Sequence, residues 1–441
     1  MEIVYSVFRG ILGLVILILI AVMFSNNRRK IDWKLVSTGI IMQILFAFFV
    51  LKTGIGKDIF SGISKGFVSL LSFSTEGAKF VFGSLAISPE TQGSLGFFFV
   101  FQVLPTIIFF AALMAIFYHF GIMQRVVQGI GWVMTRVMGT SGAESLSVAA
   151  NVFIGQTEAP LVVRPYIATM TQSELLTMMI GGMAHIAGGV MAAYVQMLGV
   201  AYAKANGWAV DTAQVQFAGH LLTASIMSAP ATMLIAKILI PETEEPLTKG
   251  TVKLKIEKSH SNVIEAAASG ASDGVKLSIN IAGMLIAFIA LITLFNYLLI
   301  SFGYWTNINA YCQQNFGQPL SLELLFGLVF QFIAFAIGVP WKDSLQVGSL
   351  MGIKLVLNEF VAYSRLSDVI PLQQLSDKAI TIATYALCGF ANFSSIAIQI
   401  GGISPLAENR RSDIAKLGLK AVIGGTIATW MTATIAGVLV Q

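Results

Sequence analysis

Between two apolar flanks the chain reads Asn151-Val-Phe-Ile-Gly155-Gln156-Thr157-Glu158-Ala-Pro160. A carboxylate, an amide and a hydroxyl beside Gly and Pro make a helix break, and the freed backbone groups together with those side chains can hold a polar solute or a cation. A second acid stands in Asn358-Glu359-Phe360, inside an otherwise apolar stretch with Lys354 one turn earlier. Keeping a charged group at the centre of a bilayer costs about 2.5–3.5 kcal/mol on insertion scales, so an acid retained there is by default a working group. The structural alternative is an internal ion pair, of Glu359 with Lys354 or Arg365 and of Glu158 with Arg164.

Two more interruptions follow. Gly181-Gly182-Met-Ala184-His185-Ile186-Ala187-Gly188-Gly189 breaks one apolar run, and Gly389-Phe390-Ala-Asn392-Phe393-Ser394-Ser395 breaks another. The glycines also suit close helix packing. Asn392 and Ser395 are three residues apart and would share a face of a helical turn, where a polar pair suits a hydroxyl-rich ligand. His119 and His220, near expected span ends, read as interfacial residues, and Trp33 and Lys34 as interface anchors.

The elements that must position these groups are membrane spans. A chain of 441 residues that is 56% hydrophobic and 11% charged cannot bury that apolar surface in one aqueous core. Windows at 5–24, 35–52, 95–119, 174–203, 215–240, 276–302, 379–401 and 417–440 predict eight transmembrane helices. The first is a retained span rather than a cleaved signal, because it runs into Asn27-Arg28-Arg29-Lys30 with no small-residue cleavage site. Segments 59–85, 122–138, 144–170, 322–340 and 344–370 are more polar or interrupted, and read as interfacial helices or re-entrant hairpins. The net charge of +5 is spread over connecting loops and reports topology, not a nucleic-acid surface. Cys312 and Cys388 form no metal spacing and no disulfide framework.

Arg28, Arg29, Lys30 and Lys34, then Arg125 and Arg136, then Lys249, Lys253, Lys255 and Lys258, then Arg410, Arg411 and Lys416 mark the cytoplasmic connections. The segment 303–320 has no Lys or Arg and lies outside, which puts both termini outside. A span, an interfacial segment, a hairpin, a broken span and a final span occur over 95–240 and again over 276–440, in opposite orientation. That is an inverted repeat, which binds substrate near the midplane between discontinuous elements. The expected organisation is an N-terminal scaffold (1–94), a first repeat (95–240), a cytoplasmic loop (241–275) and a second repeat (276–441).

Five motifs stand along the chain: Gly155-Gln-Thr-Glu-Ala-Pro160, Gly142-Ala-Glu-Ser145, Glu76-Gly77 followed by Phe80-Val81-Phe82-Gly83, Asn358-Glu359-Phe360-Val361-Ala362 and Phe390-Ala-Asn392-Phe393-Ser394-Ser395. In family order and over essentially the whole chain, they resemble the concentrative nucleoside transporter family at its bacterial eight-span length. The resemblance implies an all-α polytopic protein of the bacterial inner membrane, with eight spans and two re-entrant hairpins. It further implies a homotrimer of elevator-type transport domains that imports nucleosides down an inward cation gradient, with no cofactor. Carried over by position, Gln156, Thr157 and Glu158 look like the nucleobase side of the site, with Val190 and Phe390 beside the base. Glu359, Asn392 and Ser395 look like the ribose side. The chemistry agrees, since a carboxylate can accept two ribose hydroxyl protons and an amide can both donate to and accept from a base edge.

Sodium-coupled members hold their ion between the first hairpin tip and the fourth-span break, through an Asn side chain, backbone carbonyls and a hydroxyl side chain. Asn151 matches the Asn, and Ile154 and Ile186 the carbonyl donors, but His185 stands where the hydroxyl is expected. Sodium prefers oxygen, and an imidazole can itself take a proton, so sodium coupling and proton coupling through His185 both stand. An integral-membrane enzyme acting on nucleotides or lipids is the competing class. The chain has no His and carboxylate pair at metal-ligand spacing, no phosphate-cradling Gly loop followed by Lys and Ser or Thr, and no nucleophile elbow. A passive channel would need a continuous polar face along several helices, whereas the polar residues cluster at two hairpins and two breaks.

Overall fold

The computed structural model describes residues 2–87, 93–250 and 261–440, and the regular structure among them is helical apart from one antiparallel bridge between Ser141 and Lys249. Seven helices are long and apolar enough to cross a membrane: Val4–Met23, Trp33–Lys52, Phe99–His119, Gln172–Asn206, Val210–Leu239, Val263–Trp305 and Glu408–Leu439. The seventh expected span is two short helices, Asp377–Leu387 and Phe393–Ile403, and neither alone spans the hydrocarbon, which needs about 20 residues. Helix Val263–Trp305 begins well before the expected 276 and carries Glu265 and Asp273 on its extension. Lys253, Lys255 and Lys258 of the expected cytoplasmic loop lie outside the described residues.

Both hairpins are present. The first enters as Gly142–Asn151 and returns through the short turns Ala159–Val162 and Arg164–Ile167. The second enters as Trp341–Val356, bent 119° from the preceding Leu322–Ala336, and returns as Glu359–Val369. Two broken helices follow them: Gln172–Ala184 with Gly188–Asn206, and Asp377–Leu387 with Phe393–Ile403. The same shift in numbering that carries the N-cap Thr171 onto the N-cap Ser376 carries the N-cap Ala187 onto the N-cap Asn392, so the two halves repeat in detail.

The most apolar stretch of Val210–Leu239 is 89% buried and that of Val263–Trp305 only 6%, which separates a packed body from an outlying layer. Helix Val263–Trp305 packs along Leu104–His119. Gly270 and Gly274 permit that approach: a Cβ on either would lie 2.6 Å from the facing backbone, at Ala111 O and Ile108 Cα.

Helix ends inside a membrane must satisfy their own donors. Ser141 with Glu144, and Thr171 with Glu174, form capping boxes at the starts of the first hairpin and the first broken helix. Lys237, near the end of the fifth span, ties them together with its ammonium 2.8 Å from Glu144 Oε2, 3.3 Å from Glu242 and 2.9 Å from Ser173 Oγ. In the second half Asp343 accepts from Ser376 Oγ at 2.5 Å and does the same job without a lysine.

Candidate functional site

The first broken helix unwinds at His185, which is extended (φ −117°, ψ 169°), and restarts after Ala187. The second unwinds through Gly389, whose φ of +121° is one that residues with a Cβ rarely adopt. A Cβ there would lie 2.7 Å from Met183 O and 2.9 Å from Ala184 C, so the two breaks cross in direct contact.

Each hairpin tip packs against the break in its own half. Gly188 N donates to Phe153 O at 3.0 Å, and Ser225 Oγ of the fifth span donates to Val152 O at 2.9 Å. Asn151 Nδ2 donates to Ser147 O at 3.0 Å, and a Cβ on Gly181 would lie 3.1 Å from the same Nδ2. His185 places Nδ1 2.7 Å from Gly181 O, so that nitrogen donates to the carbonyl.

The halves then join through polar side chains. Gln156 Nε2 donates to Ser395 Oγ at 3.1 Å, linking the first hairpin to the second broken helix. Glu359 accepts from Tyr194 OH at 3.0 Å and from Asn392 Nδ2 at 3.1 Å. Thr157 packs on Gly402, where a Cβ would lie 2.7 Å from its methyl. Val190 is buried in the main apolar core, and Phe390 is half-buried against it.

The internal ion pairs are not formed. Arg365 faces Glu323 at 3.9 Å, and Lys354 donates to Ala386 O at 2.9 Å and to Thr429 Oγ1 at 3.2 Å. Glu359 is 6% exposed and held by uncharged donors alone. Glu158 differs. It is exposed and folds back to accept from Gly155 N at 2.8 Å.

Asn392 and Ser395 lie together at the restart of the helix, where Asn392 is also an N-cap whose Oδ1 accepts from Ser395 N at 2.9 Å. One sequence expectation is corrected. His220 is not interfacial but buried within Val210–Leu239, with Nδ1 3.3 Å from Tyr385 OH. Two residues had escaped notice, Tyr194 and Gln399, whose Nε2 donates to Met179 O at 2.9 Å. Each lies one turn beyond a residue already singled out, Val190 and Ser395, and that spacing is the signal that would have found them.

Several buried polar atoms here have no protein hydrogen-bond partner: Asn151 Oδ1, Ser147 Oγ, His185 Nε2, Gln156 Oε1 and Gln399 Oε1. Leaving such an atom unsatisfied costs about 1–3 kcal/mol, so a set of them around one hairpin tip is suited to an exchangeable partner. Ile154 and Ile186, the expected carbonyl donors, are buried beside Asn151 and His185 in sequence.

Comparison with known proteins gives three family matches along the chain: Na+ dependent nucleoside transporter N-terminus over 12–85, nucleoside recognition over 100–201, and Na+ dependent nucleoside transporter C-terminus over 220–437. An uncharacterized transporter of Haemophilus influenzae is 44% identical over 99% of this chain and 98% of its own length. The nucleoside permease NupC of Helicobacter pylori is 38% identical, with 99% of each chain covered. CNTnw, solved in an inward-facing substrate-bound state, matches with a TM-score of 0.86 at 41% identity over 98% of both chains. An outward-facing variant of it matches with a TM-score of 0.86 at 40% identity over 98% of this chain and 97% of that one.

Proposed function

Because this chain belongs to the concentrative nucleoside transporter family, we propose that it imports nucleosides across the bacterial inner membrane by symport with a cation, sodium being favoured. It is a carrier and not an enzyme. The observation that carries the reading is the crossing of the two halves, where Gln156 meets Ser395 and Glu359 is held by Tyr194 and Asn392. Glu359 and Asn392, with Ser395, form the ribose side, whose hydroxyls exchange for bonds these groups otherwise make to one another. Gln156, Thr157 and Glu158 form the base side, with Val190 and Phe390 supplying apolar contact. The inward- and outward-facing forms of CNTnw fit an elevator, with hairpins and broken helices moving as one body past the Leu104–His119 and Val263–Trp305 layer.

Sodium fits the residues present. The unpartnered Asn151 Oδ1 supplies a buried neutral oxygen, with Ile154 and Ile186 as carbonyl donors and His185 as a single nitrogen ligand. When bound, the ion would screen these partial charges and lock the hairpin tip against the break. Proton coupling is the second reading, favoured by one observation: His185 Nε2 is buried without a partner while Nδ1 is committed to Gly181 O. Uridine and adenosine uptake into vesicles, with sodium and pH gradients imposed separately, tests both. Transport that persists without sodium and follows the pH gradient removes the sodium reading.

We further propose a homotrimer with both termini outside. The exposed Ile279, Ile286, Leu294, Phe295 and Leu298 of Val263–Trp305 support a partner or lipid against that face. Cross-linking in native membranes and accessibility of cysteines placed at each terminus test these points.

A further inference from the structure

The numbering shift that superimposes the helix caps of the two halves also carries Gly181 onto Ala386, His185 onto Phe390 and Tyr194 onto Gln399. In the first half Gly181 O accepts from His185 Nδ1 at 2.7 Å, and Gly181 packs against the Asn151 amide, whose Oδ1 is unpartnered. Phe390 has nothing to donate in the second half. There Ala386 O accepts instead from Lys354 Nζ at 2.9 Å, and Thr429 Oγ1 of the last span receives a second bond at 3.2 Å.

Lys354 is 1% exposed and none of the ion pairs among the described residues includes it. A buried ammonium whose direct partners are a carbonyl at a helix break and a hydroxyl is in surroundings suited to a small monovalent cation: neutral oxygens in contact, with the Glu359 carboxylate acting on it only from beyond hydrogen-bond distance. The two hairpins thus reach their breaks with different chemistry. Asn151 brings a neutral amide with a free oxygen, and Lys354 brings the positive charge itself.

We propose that the Lys354 ammonium is a tethered cation, standing in the second half where the first half takes an exchangeable one. It closes the second hairpin onto its broken helix without an ion. It is a positioning residue: it anchors the turn that presents Asn358 and Glu359, and so sets where the ribose-side carboxylate lies. The inference rests on the reading of Asn151 and His185 as the exchangeable cation site.

The test is chemical replacement of the tether. Lys354→Ala removes the ammonium and leaves room for a small cation, whereas Lys354→Met removes the charge and fills the space. Uridine uptake in vesicles is expected to fall about tenfold or more in both, the size of effect of losing one or two buried hydrogen bonds to a charged group. Methylammonium, but not tetramethylammonium, which has no N–H to donate, is expected to restore Lys354→Ala to within about threefold of the parent and leave Lys354→Met unchanged. Uptake at the parent rate in Lys354→Ala, or a loss that methylammonium does not relieve in protein whose thermal unfolding matches the parent, overturns the proposal. Should Lys354→Ala fail to fold, Lys354→Arg decides against Lys354→Met: retained uptake in the first and loss in the second supports a fixed cation, and equal behaviour refutes it. A sodium titration of the parent in the same vesicles separates the two ideas, because uptake indifferent to sodium removes the sodium reading while the amine result still reports on Lys354.

Discussion

Tyr194 of the first half donates its phenolic hydrogen to Glu359 of the second at 3.0 Å, and its ring lies 4.3 Å from that of Tyr363, centroid to centroid. An acid from one hairpin is thereby held by a hydroxyl from the opposite broken helix. Tyr194→Phe keeps the ring packing and removes one donor, which is expected to weaken nucleoside binding about tenfold, or about 1.4 kcal/mol. Isothermal titration checks this, and an affinity equal to the parent's would show that Asn392 alone orients the carboxylate.

Glu359→Gln should abolish accumulation while the protein stays folded, since an amide occupies the same volume and escapes the cost of burying a charge. The expected loss is about a hundredfold in uptake rate, the scale of one strong charge-assisted pair of hydrogen bonds. Glu158→Gln, at an exposed acid bonded to its own turn, should lose less. Comparing the two rates in one vesicle preparation tests the division of labour, and a larger loss at Glu158 would reverse it.

His185→Ser exchanges a nitrogen ligand for a hydroxyl oxygen, which a hard cation prefers. Half-saturating sodium for uptake is expected to fall several-fold. If His185 instead carries the coupled proton, the variant loses transport driven by a pH gradient and gains nothing from sodium.

Gly389→Ala should cost well over the roughly 1–3 kcal/mol of a strained backbone, because the new methyl also meets Met183 O and Ala184 C in the crossing helix. Gly62→Ala is the control, lying in helix Gly54–Phe82 with nothing within 4 Å of its Cβ, and should stabilise by about 0.5–1 kcal/mol. Thermal unfolding in detergent reads both. A neutral Gly389→Ala would mean the breaks do not touch.

Lys237→Met leaves Glu144 without its ammonium partner, at 1% side-chain exposure, and should destabilise by about 3–5 kcal/mol. Adding Glu144→Gln should restore part of that loss. Failure of the double variant to recover any thermal stability would show that Glu242 and Ser173, not Glu144, need the lysine.

Much of this architecture was legible in the chain itself. Length and hydropathy are local properties, so most of the spans, the helix breaks at Gly181–Gly189 and Gly389–Ser395, and the buried acid Glu359 could be read directly. The repeat was legible as order of elements, and its register is now visible in paired caps, Thr171 with Ser376 and Ala187 with Asn392.

Tertiary structure alone decided which polar group answers which. Lys354 lies one turn from Glu359 in sequence, yet its charge goes to Ala386 and Thr429, because the bend of the hairpin points the two side chains at different neighbours. Asn392 is a cap as well as a polar group of the site, since a restarting helix in an apolar setting must satisfy its own N–H groups while Nδ2 stays free to reach Glu359. Residue type and spacing determine what a side chain can donate or accept; only the crossing of two distant helices determines whether a partner stands within about 3 Å to receive it.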